Sequence, residues 1–177
     1  MVLFLLQIKA DTENVSEVAL KRDVNLRVSV RNPLNDYEVR ENVVFNPSET
    51  REQDEGAREP AHHFALKWEG SKKMSILQVL DDKEAASALK KKKAKGLQPR
   101  SMTSEDNGGW VPILAMECRG LEPYAFHPMS EEFVITSEGG TTFEEEVELG
   151  EGDWADYDED NDAPVSMEGI EFKFEAV

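Results

Sequence analysis

Hydrophobic and polar residues alternate over several short stretches of this chain. The alternation is visible over residues 4–10 and is cleaner over residues 24–31. A period of two is typical of a strand that buries one face, so both stretches are predicted to be antiparallel strands. Further strands are predicted at 37–45, 64–68, 76–80, 110–118, 133–135, 142–149 and 170–174.

Turn residues separate the predicted strands. Asn32–Asp36 contains Pro, Asn and Asp, which favour turn backbones, and it is predicted to join strands 24–31 and 37–45. Gly139–Gly140 predicts a hairpin. Asn46–Pro60 is polar and without a period, so it is predicted to be a long loop.

One stretch in the middle of the chain has the character of a helix. Asp81 as a cap, Glu84 in the first turn and Gly96 after the end follow the usual start and stop rules, so a helix is predicted between Asp81 and Gly96. The run Lys90–Lys95 has two interpretations, a nuclear-import or anion-binding patch and a solvated helix end or linker. The second is favoured because lysine runs are commonly just solvated.

The order of these elements predicts a mainly β fold of two similar β-rich halves of antiparallel strands, like a sandwich or barrel. Residues 1–80 are predicted to form the first half, residues 81–109 a helical, lysine-rich linker, and residues 110–177 the second half. Leu6–Ala10 and Leu114–Cys118 are the matching starts, which suggests an internal duplication.

Charge and cysteine content narrow the expected partners and compartment. Among 177 residues, 20 Lys and Arg stand against 37 Asp and Glu, a net charge of -17. Such a surface repels nucleic acids and anionic membranes, so neither is an expected partner. The single cysteine and the lack of a signal-peptide pattern or membrane-length apolar run predict a cytoplasmic protein, and a nuclear one as well if the lysine run is an import signal.

Two segments are more specific than the rest of the chain. Glu117–Pro123 reads ECRGLEP and Asp153–Glu159 reads DWADYDE. Together with Leu6–Ala10 and Glu13–Val15, they make the chain resemble the eukaryotic CXXC-motif-containing zinc-binding protein family over nearly its whole length. The resemblance implies a β-rich fold of two similar halves and one zinc ion held by two CxxC pairs.

The positions that the resemblance assigns to the zinc ligands carry other residues. The first CxxC pair falls on Arg31 and Leu34. The second pair falls on Lys67 and Gly70, and none of the four is an ordinary zinc ligand. We therefore expect a divergent member without the zinc ion and without another cofactor. Arg31 and Lys67 are expected either to pair with acidic groups or to point to solvent, and the second alternative is favoured.

The thiol and the histidines offer little chemistry. Cys118 is predicted to be a buried structural thiol, because no histidine stands at a spacing that would supply a base. His62 and His63 are adjacent and would point to opposite faces of a strand, so a shared metal ion is not expected. His127 stands apart from both.

The acidic segment that begins at Asp156 has carboxylates at alternate positions, as in the first part of a calcium loop. Its sixth position is Asn161 and its twelfth is Met167, where such a loop needs Gly and Glu, so specific calcium binding is not expected. Trp154 and Tyr157 are instead predicted to anchor the segment to the sheets while its carboxylates stay in water.

These observations favour a non-enzymatic scaffold or protein-interaction protein with an unknown protein partner, contacted through the surface around Arg119, Glu122 and Trp154. Arg119 and Glu122 could equally pair with each other and fix their loop. The alternative function is a metal-handling protein with a cryptic histidine and carboxylate site. An enzyme has the least support, and a pocket that gathers carboxylates and a histidine would be its sign. The candidate interaction or structural residues are Cys118, Arg119, Gly120, Glu122, Pro123, Asp153, Trp154, Tyr157 and Asp158.

Overall fold

The computed structural model describes residues 1–50 and 61–177, and within these ranges the chain is mainly β. Most of the predicted loop at 46–60 therefore lies outside the described residues. One α-helix, α1, spans Asp82–Lys91, and short 3-10 turns lie at Lys95–Leu97 and Ser104–Asp106. The strands are β1 (Val2–Glu13), β2 (Val15–Leu20), β3 (Leu26–Asn32), β4 (Asn35–Phe45), β5 (Phe64–Leu66), β6 (Ser75–Leu80), β7 (Met102–Thr103), β8 (Val111–Arg119), β9 (Glu122–Phe126), β10 (Phe133–Ser137), β11 (Thr142–Phe143), β12 (Trp154–Asp158) and β13 (Ala163–Ala176).

The described strands form three antiparallel sheets. The largest has the order β12-β13-β1-β8-β6-β5, the second β11-β10-β2-β7 and the third β4-β3-β9. Their inward residues share one large core, which includes Leu6, Val28, Leu114 and Ile135. The predicted mainly β, antiparallel fold is confirmed.

The strands of the two segments 1–80 and 110–177 are interleaved within the sheets. β1 lies between β8 and β13, β2 pairs with β10, and β3 pairs with β9. Each sheet is thus built from both segments, and one continuous core holds them together. The internal duplication stays a prediction.

The helix begins where the sequence predicts and ends earlier. Asp81 caps it, and the Glu84 side chain completes the capping box. The chain leaves the helix at Lys93, which has a positive φ of 59°, rather than at Gly96. Ala85 and Leu89 are buried in a second core cluster with residues of β1, β6 and β8, so the helix covers part of the large sheet. The helix within residues 81–109, the range predicted as a linker, therefore packs against the large sheet.

Several strand predictions need correction. β2, β9 and β12 were not predicted, and the strand predicted at 142–149 is reduced to Thr142–Phe143. Three consecutive glutamates, Glu144–Glu146, follow that short strand, and Glu146 has a positive φ of 52°. Val147 and Leu149 are nevertheless buried, so their apolar character reflects loop packing rather than a strand.

Among the helices in the described ranges, none combines the length and the apolar composition that crossing a membrane requires.

Candidate functional site

The four predicted ligand positions lie in two turns at one end of the molecule. Arg31 and Leu34 belong to the hairpin tip (residues 31–38) between β3 and β4. Lys67 and Gly70 belong to the β5–β6 turn (residues 67–74). All four residues are exposed, Leu34 to 93%. The outcome that was favoured for Lys67, exposure to solvent, is what the structure shows.

A carboxylate connects the two turns. The Glu38 Oε1 atom accepts a hydrogen bond from Asn32 Nδ2 at 2.8 Å, within the hairpin tip. The other oxygen, Oε2, accepts one from the backbone N–H of Glu69 at 3.3 Å, across the gap to the β5–β6 turn. Sequence reasoning missed Glu38, because a glutamate after a turn is unremarkable without the fold.

Arg31 forms an ion pair, contrary to the favoured expectation that it points only to solvent. Its Nε atom donates to Glu122 Oε2 at 3.1 Å, and its guanidinium lies 5.9 Å from the centre of the Tyr124 ring. Glu122 lies directly opposite Arg31 in the β3–β9 register, which explains the contact. The ion pair of Glu122 is thus with Arg31, and not with Arg119.

Gly120 is the centre of the ECRGLEP segment. Its carbonyl oxygen accepts hydrogen bonds from Trp68 Nε1 at 2.7 Å and from Ser75 Oγ at 2.9 Å. Gly120 has a positive φ of 76°, and a Cβ atom there would collide with the Ser75 hydroxyl. This position therefore requires glycine. Trp68, which sequence reasoning did not select, is buried next to the predicted ligand position 67.

The other residues of this segment have structural environments. Cys118 is buried, as predicted, and burial raises the pKa of its thiol well above the ordinary value, with smaller contributions from the charges of Glu117 and Glu122. A thiol that stays protonated is a poor nucleophile. Pro123 is also buried and faces Val30 of β3. Half-buried Arg119 faces Ile76 of β6.

Asp158 is the centre of the DWADYDE segment. It has no exposed surface, and its carboxylate accepts hydrogen bonds from Ser137 Oγ at 2.7 Å and Thr141 Oγ1 at 2.7 Å. Asn161 donates to it from its side chain at 2.8 Å and its backbone at 3.2 Å. The bond from Ser137, followed by those from Thr141 and Asn161, lowers the pKa of the Asp158 carboxyl to about 2. We call Asp158, Ser137, Thr141 and Asn161 the Asp158 cluster.

The prediction that the carboxylates of this segment stay in water is wrong for Asp158. Trp154 packs its ring edge against Phe143, with the ring centres 5.4 Å apart, which supports its predicted anchoring role. Tyr157, predicted as a second anchor, is 46% exposed, and its hydroxyl bonds to Asp162. Asp153 is exposed.

The residues around Arg119 and Trp154 do not form one surface. Arg119 directly follows the residue that pairs with the start of β1. Trp154 pairs with Met167, which in turn faces Thr12 near the end of β1. Strands rise about 3.3 Å per residue, so the two motifs are roughly 30 Å apart along the sheet.

The sequence profile described as "CXXC motif containing zinc binding protein, eukaryotic" matches residues 5–175. The chain belongs to this family. Human CXXC motif containing zinc binding protein is 38% identical over 71 residues, and the Drosophila melanogaster UPF0587 protein CG4646 is 40% identical over 72 residues. These stretches span 44% of either relative, less than half of its length.

A third relative extends the match along the chain. The Nematostella vectensis UPF0587 protein v1g245604 is 27% identical over 175 residues, which is 98% of each chain. Two solved structures share the fold: a hypothetical protein from Plasmodium falciparum (TM-score 0.80, 22% identity, 99% of this chain and 100% of the other) and C1orf123 (TM-score 0.79, 21% identity, 99% of both).

The side chains at the four predicted ligand positions of this CXXC family member do not fit a zinc ion. Leu34 and Gly70 have no donor atom, and Arg31 is already paired with Glu122. His63 and His127 are also engaged: His63 Nδ1 accepts from the backbone N–H of Val79 at 2.8 Å, and His127 Nε2 is 2.7 Å from Ser29 Oγ. Within residues 1–50 and 61–177, no three His, Cys, Asp or Glu side chains are grouped so that they could hold a metal ion.

One cavity of about 410 Å³ gathers a histidine and carboxylates, the composition expected of an enzyme pocket. Its titratable side chains have structural roles, however. Asp81 and Glu84 cap α1, and Arg22 donates to the Leu80 carbonyl at 3.3 Å. Burial lowers the pKa of His63, which favours its neutral form. The other lining residues include Asp82, Gln78 and Val79.

The two described large apolar side chains with the highest exposure, Tyr37 and Leu34, lie on β4 and in the turn before it, and β4 is an edge strand of the three-stranded sheet. Tyr37 is 96% exposed, Val39 41% and Val44 48%, and Leu34 at the hairpin tip adds to them. We call these four residues the β4 patch. Sequence reasoning missed it because alternation predicts one buried face of a strand without showing that the other face carries apolar side chains.

Proposed function

We propose that the chain is a non-enzymatic protein-interaction protein and that its partner binds the β4 patch. The observation that carries the proposal is the exposure of four large apolar side chains on one edge strand and its turn. Single exposed apolar residues are normal on a protein surface, whereas several on one edge strand and its turn favour a binding surface.

An edge strand adds backbone donors and acceptors to this surface. β4 is eleven residues long and is paired with β3 on one side in the order β4-β3-β9. A partner that supplies an extended segment can continue the sheet there, while its alternate side chains pack on the patch. A partner of this kind uses the backbone for affinity and the patch for specificity.

We propose that the ECRGLEP and DWADYDE motifs stabilise the fold and do not bind the partner. Gly120 and Asp158 accept hydrogen bonds from residues far along the chain, and Cys118 is buried. The partner-binding role first expected near Arg119, Glu122 and Trp154 therefore moves to the β4 patch, because Arg119 and Trp154 do not share a surface.

The absence of enzymatic activity remains part of the proposal. The cavity beside His63 has the residue types that an enzyme needs, yet capping bonds already use Asp81 and Glu84, and backbone contacts hold His63. The competing proposal is a metal-handling protein with a cryptic histidine and carboxylate site, although no three such side chains are grouped in the described part of the chain. Measurement of the metal content of the purified chain tests that competing proposal.

The partner surface is tested by a double variant, Tyr37→Ser with Val39→Ser, and by the matched control Tyr157→Ser at an exposed tyrosine elsewhere. Tagged chains are crosslinked in cells, purified and compared by quantitative mass spectrometry. Hot-spot residues, among which tyrosine is enriched, cost more than about 1 kcal/mol of binding free energy when truncated, so we expect at least about a fivefold lower recovery of specific partners for the double variant only. Equal recovery with both variants, at unchanged melting temperatures, would contradict the proposal.

The proposed compartment is the cytoplasm, with nuclear entry as a second possibility. The five lysines of the run Lys90–Lys95 are exposed, so they are accessible to an import receptor. Replacing these lysines by glutamine and following the fluorescently tagged chain tests the nuclear role. An unchanged distribution would leave them as a solvated helix end.

A further inference from the structure

We infer that the Glu38 carboxylate takes the structural place of the zinc ion in this chain and makes the junction of the two turns independent of metal. The inference goes beyond the proposed function, since it concerns what holds the hairpin tip against the β5–β6 turn. It begins from the disagreement between the family's metal and the residues at its ligand positions.

The family resemblance assigns two ligand positions to each turn, so a bound zinc ion would link the hairpin tip to the β5–β6 turn. In this chain these positions supply a guanidinium, an ammonium and no donor at all at Leu34 and Gly70. Loss of a structural zinc removes a large contribution to folding. The turns therefore need other contacts to stay together.

Glu38 makes the direct link. Each of its two carboxylate oxygens serves a different turn, Oε1 toward Asn32 and Oε2 toward the backbone of Glu69. Hydrogen bonds to an ionised acceptor are about twice as strong as neutral ones. One half-buried side chain thus bridges the two segments that a metal ion would join.

Two further contacts, one for each turn, attach the turns to the ECRGLEP segment. The hairpin tip is attached through Arg31 and Glu122 at 3.1 Å. The β5–β6 turn is attached through the Trp68 indole, which donates to the Gly120 carbonyl at 2.7 Å. Trp68 is also buried, so it adds apolar contact area that a metal-binding turn would not need.

The polarity of the bridge suits an anion rather than a metal ion. An amide N–H₂ group and a backbone N–H group both direct protons at the Glu38 oxygens. A cation needs the reverse arrangement, with several lone pairs converging on it. The junction is built around an anion that accepts hydrogen bonds.

The first test measures metal directly on the purified full chain. Native mass spectrometry and elemental analysis should find no stoichiometric zinc, and a strong chelator should leave the melting temperature unchanged. Stoichiometric zinc, or a lower melting temperature after chelation, would overturn the inference.

The second test compares Glu38→Ala with Glu41→Ala, an exposed glutamate on the same strand. Loss of the bridge should raise hydrogen exchange at the Glu69 amide by roughly fivefold to tenfold, the factor expected for one hydrogen bond. Trypsin should also cut faster after the exposed Lys67, Lys72 and Lys73 of the β5–β6 turn.

Glu38→Gln keeps one carbonyl acceptor, so its exchange rate at the Glu69 amide and its cleavage rate are expected to lie between those of wild type and Glu38→Ala. This variant serves as the test if Glu38→Ala folds poorly. If Glu38→Ala and Glu41→Ala give the same exchange and cleavage, Glu38 is not the bridge. These measurements use the isolated chain, so their failure is distinct from a failure to find a partner at the β4 patch.

Discussion

The hairpin junction and the Asp158 cluster both use one carboxylate to hold two segments together, but they differ in burial. Glu38 at the junction is half-buried and accepts from two groups. Asp158 is fully buried and accepts from three residues. The same functional group should therefore stabilise the fold far more at the cluster, where water cannot replace lost hydrogen bonds.

At both the hairpin junction and the Asp158 cluster, a glycine lies so close to a neighbouring side chain that a Cβ atom would not fit. A Cβ atom on Gly120 would collide with Ser75, and a Cβ atom on Gly139 would collide with the Asn161 side chain of the Asp158 cluster. Only Gly120 also has a positive φ, so the backbone itself restricts the residue there. Substitutions of the carboxylate or of the glycine can therefore measure how much each place contributes to the stability of the fold.

The largest effect is expected from Asp158→Ala. The donors of Ser137, Thr141 and Asn161 would lose their acceptor, and we expect the melting temperature to fall by more than about 8 °C. Calorimetry of Asp158→Ala beside Glu159→Ala, an exposed neighbour, checks this. A fall of less than about 2 °C for both variants would show that the cluster does not stabilise the fold.

Gly120→Ala should have the next largest effect, about 2 kcal/mol in the free energy of unfolding, from the positive φ and the collision with Ser75. Adding Ser75→Ala removes the collision and should restore part of the loss. Gly96→Ala, where nothing lies within 4 Å of the new Cβ, is the control. Urea unfolding measures all of them. An equal loss in the single and double variants would mean that the backbone alone restricts this position.

Acid should weaken the Asp158 cluster selectively. The pKa of Asp158 is lowered to about 2, whereas an unfolded aspartate titrates near 3.9. The contribution of the Asp158 carboxylate to the stability of the fold is therefore complete above about pH 4 and is lost as the pH falls through about 2. The difference in melting temperature between wild type and Asp158→Asn should shrink over this range. A difference that is constant with pH would contradict the ionised, hydrogen-bonded carboxylate.

The smallest effect is expected at the exposed ion pair of the hairpin junction. Surface pairs usually contribute about 0.2–1 kcal/mol and weaken with salt. A double-mutant cycle with Arg31→Gln and Glu122→Gln should give a coupling energy of about 0.5 kcal/mol that falls in 1 M salt. A coupling energy as large as the loss from Gly120→Ala would show that this exposed ion pair is not a weak surface contact.

The sequence was sufficient for the architecture and for parts of the site. Period-two alternation identified β1, β3 and β8, the turn at Asn32–Asp36 pointed to β4, and the Asp81 cap located the start of α1. It failed at β12, where a strand with outward acidic residues resembles a solvated loop, and at β9, where Pro123 suggested only a turn. An alternating hydrophobic pattern appears only where a strand buries every second residue. β9 and β12 bury few residues and not in alternation, so the pattern did not reveal them.

For the candidate site, the sequence predicted only the four ligand positions and not the contacts between them. The resemblance located Arg31, Leu34, Lys67 and Gly70 in two turns, but it did not reveal that Glu38 bridges them. Nor did it show that Asp158 is buried. Both facts depend on pairings between residues far apart in the chain, such as Ser137 with Asp158, which local sequence does not encode.

The position of β1 also governs when the fold can form during synthesis. The register joins Phe4 to Ala176, so β1 is synthesised well before β13, the strand that pairs with its second edge. Until then the apolar run Leu3–Leu6, buried in the finished fold, has only part of its cover. A nascent chain must therefore carry an unpaired sheet edge while the residues between β1 and β13 are translated, and exposed strand edges readily pair with the wrong neighbour.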